Sequence, residues 1–148
     1  MELQNNEWVR LFRGAMLAHE EGARLLLSHC HKDSASRLCG EVIYLSGYVV
    51  ECGLKAVLFS WTPVSRHGKL VEVMKSPKGS GHNLHLLWER VVRAGCPVPT
   101  KVTEAVAAMA GRWKTEMRYA GGSFRHRDAD YLYRTAKVVA DWILEKGT

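Results

Sequence analysis

The sequence predicts an all-α protein: an antiparallel, up-and-down bundle of about five helices. Apolar residues recur at helical spacing almost throughout the chain, and no alternation of period two marks a strand. Proline and glycine interrupt this pattern between the apolar segments, which predicts mostly short connections between successive helices. The 148 residues are a one-domain length, so residues 1–148 are expected to share a single core.

Each predicted helix follows from its own pattern. The first is amphipathic, with apolar residues recurring between Trp8 and Leu27. The second is apolar on nearly all sides, so it is expected at the centre of the bundle, and Thr62 and Pro63 end it. The polar stretch that follows is predicted to be a basic loop covering residues 61–80. The five predicted helices cover residues 5–28, 35–60, 82–94, 101–118 and 128–146.

The formal net charge of +6 is concentrated in two segments. Residues 61–82 carry four cations against one acid, and residues 117–127 carry three arginines and no acid. Because helix directions alternate in an up-and-down bundle, the loops after the second and fourth helices should lie at the same end. The start of the first helix should lie there too. The sequence therefore predicts an anion site at one basic end of the bundle.

The composition bears on the cellular compartment of the protein and on whether it holds a metal or cofactor. No apolar run reaches the length that a membrane span needs, and the first residues carry no basic signal-peptide region, so we expect a cytoplasmic protein without a membrane partner. The four cysteines form no CxxC pair, and the histidines lack further ligands at a recognisable spacing. We expect neither a metal site nor a cofactor.

The segment between the fourth and fifth predicted helices carries the residue types that hold a phosphodiester. Arg118 and Arg125 can clamp a phosphate and stabilise its developing charge, and Arg127 adds a third cation. His126 can accept the proton of a ribose 2′-hydroxyl without a metal, and Tyr119 can stack on a base. The alternative is a basic turn that only keeps the bundle soluble.

Five polar residues share one face of the second predicted helix, because they follow one another in steps of three and four. One interpretation is a solvated or interfacial face that contains an ion pair between Glu51 and Lys55. In the other, the face lines a cleft, where Tyr48 and Glu51 orient Arg118 and Lys55 lies near the basic end. This polar stripe consists of Glu41, Tyr44, Tyr48, Glu51 and Lys55.

A stretch rich in small residues precedes the third predicted helix and contains Lys78 and His82. Free backbone N–H groups at a helix start favour anions, so both residues are candidates for binding a phosphate. The spacing is not that of a P-loop. The alternative is a flexible loop that ends in a helix cap.

Three blocks of the chain, in this order and separation, resemble the HEPN domain family. They are residues 44–56, which read Tyr-Leu-Ser-Gly-Tyr-Val-Val-Glu-Cys-Gly-Leu-Lys-Ala, the Gly-His-Asn-Leu of residues 81–84, and Trp113 with the Arg-Tyr of residues 118–119. The resemblance covers residues 38–143. It implies an all-α up-and-down bundle that is commonly a homodimer.

The same resemblance implies a role with RNA or nucleotides. Some HEPN proteins are metal-independent ribonucleases of toxin–antitoxin and defence systems, and others are non-catalytic partners of minimal nucleotidyltransferases or nucleotide-binding modules. In the ribonucleases, an arginine and a histidine a few residues apart form the active motif. Here Arg118 and His126 are one position further apart than that motif.

Three hypotheses follow. The first is a HEPN-type component that binds RNA or a nucleotide phosphate in a toxin–antitoxin-like system or beside a separately encoded nucleotidyltransferase. The second is an active metal-independent ribonuclease that uses Arg118 and His126 and leaves 2′,3′-cyclic phosphate ends. The third is a non-catalytic dimeric scaffold in which the polar stripe forms the partner surface.

Overall fold

A computed structural model describes residues 6–30, 35–76, 81–113 and 124–146. It confirms the all-α bundle, with six α-helices in these residues rather than five. A 3₁₀ turn, Val64–Arg66, precedes the third helix, and two short strands, β1 (Ala35–Ser36) and β2 (Phe124–Arg125), form an antiparallel pair. The helices are α1 (Glu7–His29), α2 (Arg37–Trp61), α3 (His67–Lys75), α4 (Leu84–Arg93), α5 (Thr100–Arg112) and α6 (His126–Lys146).

Helix α2 is the core of the bundle, as its apolar pattern predicted. Every residue from Val49 to Ser60 is buried, because α1, α4, α5 and α6 all pack against this helix. By length and composition alone, α2 is apolar enough to cross a bilayer. However, 83% of its apolar window is buried inside the bundle, as expected for a core helix.

Helices α1 and α2 pack in opposite directions. The Phe12 ring lies 5.5 Å from that of Phe59, near the end of α2, and the His19 ring lies 5.3 Å from that of Tyr48, closer to its middle. The side chain of Asn6 caps α1 by accepting a hydrogen bond of 3.1 Å from the Val9 backbone N–H. The basic start of α1 therefore lies at the carboxyl end of α2.

Helices α2 and α6 start side by side and run in the same direction. Both directly follow a strand of the antiparallel pair, in which Ala35 is opposite Arg125 and Ser36 is opposite Phe124. The Phe124 ring packs on Gly40 in the first turn of α2, where a Cβ would lie 2.8 Å from it. Further along, Ile143 packs on Gly53 in the same way. The amino ends of these two helices therefore adjoin.

The prediction that the two basic segments meet at one end of the bundle is wrong for the residues that the structure describes. The predicted loop of residues 61–80 contains α3, and with this additional helix α6 runs in the same direction as α2 rather than against it. The Nε2–H of His67 donates to the carbonyl oxygen of Phe59 at 2.9 Å, which fixes α3 at the carboxyl end of α2. The start of α6 lies beside Gly40, about 28 Å away along α2 at 1.5 Å per residue.

Helix α5 ends where Trp113 leaves it with an extended backbone and packs across α2. Its indole Nε1–H donates to the Tyr44 carbonyl oxygen at 3.1 Å, and the ring fits against Gly47, where any Cβ would overlap it. The remainder of the predicted fourth helix, residues 114–118, lies outside the described residues. Trp113 thus fixes the end of α5 against the polar stripe of α2.

We expect Gly47→Ala to destabilise the fold by roughly 1–3 kcal/mol, because the added methyl group overlaps the Trp113 indole in a packed core. Urea unfolding of the purified protein measures the change in free energy. Gly14→Ala is the matched control, since Gly14 lies on the exposed face of α1 with open space around it. Alanine there should stabilise the helix by about 0.5–1 kcal/mol. Equal effects of the two substitutions would contradict the packing described.

Candidate functional site: a buried polar cluster and a basic helix-start surface

The polar stripe of α2 lies largely inside the bundle, so its interpretation as a solvated face is wrong, although the ion pair between Glu51 and Lys55 that this interpretation contained is present. Only Glu41 is exposed, while Tyr44 and Tyr48 are half-buried. Glu51 is 2% exposed and Lys55 is 8% exposed. The stripe is covered by His19 from α1, by Trp113 after α5 and by His82 before α4.

Glu51 is the centre of this polar cluster. Lys55 Nζ donates to its Oε1 at 2.6 Å, and His82 Nδ1 lies 3.1 Å from the same oxygen. Among the described residues, no donor reaches the buried Oε2. A buried carboxylate is costly unless it is paired, and here two cationic or donating side chains pair with one oxygen.

Each residue of the Gly-His-Asn sequence, residues 81–83, has its own structural role. Gly81 passes so close to the Met74 carbonyl oxygen that a Cβ would overlap it. His82 reaches Glu51, although its side chain is 68% exposed. Asn83 caps α4 by accepting a hydrogen bond of 3.1 Å from the Leu86 backbone N–H. This sequence therefore holds an exposed histidine on a buried carboxylate.

The aromatic side of the cluster surrounds Tyr48. Its hydroxyl accepts a hydrogen bond of 2.9 Å from the hydroxyl of Tyr44, and its ring meets Trp113 edge-on at 5.3 Å. The His19 ring stacks on the Tyr48 ring as well. Burial lowers the pKa of His19, and the negative charge of Glu51 opposes that shift in part. His19 was not among the predicted site residues, because in the sequence it is only a polar residue one turn after Met16 in an amphipathic helix.

The second group of candidate residues lies at the adjoining starts of α2 and α6, which we call the helix-start surface. It comprises Arg37, Arg125, His126 and Arg127; the arginines are exposed and His126 is half-exposed. Within the part of the chain that the structure describes, none of these three arginines forms an ion pair. The amino ends of two helices add partial positive charge at the same place. Sequence analysis missed Arg37, because its position beside Arg125 depends on the strand pairing.

The structure therefore divides the predicted site residues into two groups. Tyr48, Glu51 and Lys55 lie on one face of α2, and His82, which the cleft interpretation did not include, contacts Glu51 there. Arg125, His126 and Arg127 lie at the helix-start surface, and Gly40 beside them is about 16 Å from Glu51 along α2. Arg118, Tyr119 and Lys78 lie outside the described residues, so the predicted contact of Glu51 with Arg118 stays a prediction.

No group of three or more histidine, cysteine, aspartate or glutamate side chains suits a metal ion in the described ranges. Comparisons of the chain with protein-family models, with curated proteins and with solved structures found no match.

We expect Glu51→Ala to destabilise the protein by about 3–5 kcal/mol, because it leaves the Lys55 ammonium buried without its carboxylate. Chemical denaturation provides the measurement. Asp130→Ala is the matched control, since Asp130 and Arg134 form an ion pair of the same spacing at the surface. Its loss should cost less than about 1 kcal/mol. Similar losses of stability in the two variants would show that burial does not strengthen the ion pair between Glu51 and Lys55.

The lowered pKa of His19 predicts a pH dependence of stability. Below the ordinary histidine pKa the unfolded chain takes up a proton that the folded chain resists, so stability falls as the pH drops through that range. We expect His19→Gln to lose less stability than the unsubstituted protein between about pH 7.5 and pH 5. Denaturant midpoints at both pH values test this. An equal or larger loss in the variant would contradict the burial of neutral His19.

Proposed function

We propose that this protein binds RNA or a nucleotide through phosphate groups at the helix-start surface. The observation that carries the proposal is the strand pairing that brings the amino ends of α2 and α6 together. Backbone N–H groups at a helix start point outward and carry partial positive charge, which favours an anion. Two such starts share one location here.

The arginines make this surface suitable for phosphate in particular. Arg37, Arg125 and Arg127 are exposed, and their planar guanidinium groups can donate two parallel hydrogen bonds to phosphate oxygens. Asp128 in the first turn of α6 and Glu41, one turn after Arg37 in α2, oppose two of these three charges. Asp130 is engaged by Arg134 at 3.0 Å, so its charge is partly offset. The surface thus keeps a local positive excess on a protein whose formal net charge is +6.

We propose further that the chain is a HEPN-type domain, because the sequence blocks that carry the resemblance contact one another. Gly47 in the first block receives the Trp113 ring, and Glu51 in the same block receives His82 of the Gly-His-Asn-Leu block. If the chain has the fold of the HEPN family, its separate sequence blocks should contact one another. The expected homodimer, the separately encoded nucleotidyltransferase and the toxin–antitoxin-like setting belong to this proposal.

A second candidate function is the metal-independent ribonuclease with Arg118 and His126. The observation that favours it is the position of His126, which opens α6 between two exposed arginines of the proposed phosphate site. A proton acceptor beside a bound phosphodiester is what cleavage through a 2′-hydroxyl needs.

We expect the double variant Arg125→Ala/Arg127→Ala to weaken RNA binding at least tenfold, because two phosphate contacts are lost. Fluorescence anisotropy with a labelled single-stranded RNA measures affinity between about 50 and 200 mM salt. The slope of log affinity against log salt should become shallower by about 1.4, since each contact to single-stranded RNA contributes roughly 0.7.

The control is Arg66→Ala/Lys69→Ala, which removes the same charge from exposed positions at the opposite end of α2. It should change the affinity by less than about twofold. If both double variants weaken binding equally, the affinity comes from net charge alone and the proposed surface is wrong. If the unsubstituted protein binds neither RNA nor nucleotides, the proposed function is wrong.

A further inference from the structure

We infer that two copies of this chain associate through the outer face of α1, which packs antiparallel against the same face of the partner copy. The homodimer that the sequence resemblance implies has no surface assigned to it, and the residues of α1 supply one on independent grounds. Association here does not require phosphate binding at the helix-start surface, so the two proposals can fail separately. The outer face consists of six exposed residues: Glu7, Arg10, Gly14, Leu17, Glu21 and Arg24.

The exposed side of α1 carries three leucines that the bundle does not cover. Leu11 is 56% exposed, Leu17 is 41% exposed and Leu25 is 48% exposed. With the exposed Ala18, two of these leucines recur every seven residues, which is the spacing of a seam between two packed helices. Helices α2 and α6 pack against the other side of α1. Single exposed leucines are normal at a surface, whereas three on one side of a helix mark a contact.

The charged residues of the outer face are complementary to themselves in reverse order. Suppose that two copies of α1 pack antiparallel about the point between residues 15 and 16. Arg10 then lies opposite the partner's Glu21. By the same symmetry, Glu7 lies opposite the partner's Arg24. Each pair occurs twice, because the two-fold axis presents the same surface on both copies. Within the described part of the chain, none of these four side chains forms an ion pair.

Other arrangements of this face bring like charges together. Shifting the register by about one turn in one direction places Glu7 opposite the partner's Glu21. The same shift in the other direction places Arg10 opposite the partner's Arg24. Parallel packing would place each charge opposite its own copy. The order of charges along α1 therefore favours one orientation and one register.

Gly14 has no packing role within one chain. Open space surrounds the position where its Cβ would lie, and a glycine inside a helix destabilises that helix. Within one chain, alanine at this position would be the better residue. In the antiparallel register, Gly14 lies opposite the partner's Leu17, and the missing side chain lets that leucine insert between the helices. The dimer thus gives a reason for a residue that the single chain does not explain.

The proposed contact is small for a protein interface. Residues 7–24 of the two helices overlap over about 27 Å at 1.5 Å per residue. One pair of helices of this length is at the lower end of the interface sizes that give stable association. We therefore expect a reversible dimer that dissociates on dilution through the micromolar range.

Sedimentation velocity of the full chain across a micromolar dilution series tests the register. We expect the unsubstituted protein to be a dimer at the upper end of the series. Arg10→Glu should weaken association by about tenfold or more, because the new carboxylate lies opposite the partner's Glu21. The double variant Arg10→Glu/Glu21→Arg should restore association, since opposite charges then face each other with their positions exchanged.

A second pair of variants tests the apolar part of the contact. Leu17→Asp should abolish the dimer, because a carboxylate replaces the side chain that packs over Gly14. Val92→Asp is the matched control, since Val92 is an exposed apolar residue on α4, which packs against α2 and α5. It should associate like the unsubstituted protein. Both positions are exposed, so circular dichroism should show the same helix content in each variant.

Every other outcome has a defined meaning. An unsubstituted protein that is monomeric throughout the series overturns the α1 dimer and leaves the phosphate-binding proposal standing. A dimer that survives Arg10→Glu and Leu17→Asp uses another surface, and α1 is then not the contact. If charge exchange does not restore association, the antiparallel register is wrong. A protein that dimerises as expected but binds neither RNA nor nucleotides contradicts only the proposed function.

Discussion

The pairing of two residues before α2 with two residues before α6 decides where the charged groups of this protein lie. The two strands pair over only two residues each, Ala35 opposite Arg125 and Ser36 opposite Phe124, yet this pairing makes the two helices begin together. The Phe124 ring then packs on Gly40, so the common direction of α2 and α6 is set within the first turn. Packing of Ile143 on Gly53 holds α6 along the core helix, and the strand pairing places the arginines at the start of α6 beside the start of α2.

Much of the fold was predictable because hydrophobic periodicity is strong in the long helices. The apolar pattern predicted α2 as a core helix over residues 35–60, and it is observed over Arg37–Trp61. Helix α3 was missed because only His67 and Leu70 of its nine residues are buried, which leaves too little apolar pattern to recognise. Because α3 was omitted, the last helix was predicted to run against α2, whereas α6 runs in the same direction. The strands β1 and β2 were missed as well, because two residues are too few to show a period in the sequence.

The candidate site was predictable where it lies on one helix and not where it depends on contacts between elements. Steps of three and four placed Tyr48, Glu51 and Lys55 on one face of α2, but the same steps describe a solvated face equally well. Only tertiary packing distinguishes the two, and it buries Glu51 under His82 and places His19 against Tyr48. Charge segregation identified Arg125 and Arg127 but assigned them the wrong neighbours, since helix direction determines which basic segments meet.

The central claim is that a phosphate ligand binds where α2 and α6 begin together. Amide chemical shifts of the ¹⁵N-labelled protein, followed while a short 5′-phosphorylated RNA is added, test this claim most directly. We expect the largest changes at residues 37–39 and 125–128, and we expect them to saturate with one affinity. Changes confined to residues 64–75 at the opposite end of α2, or no change at excess RNA, would contradict it.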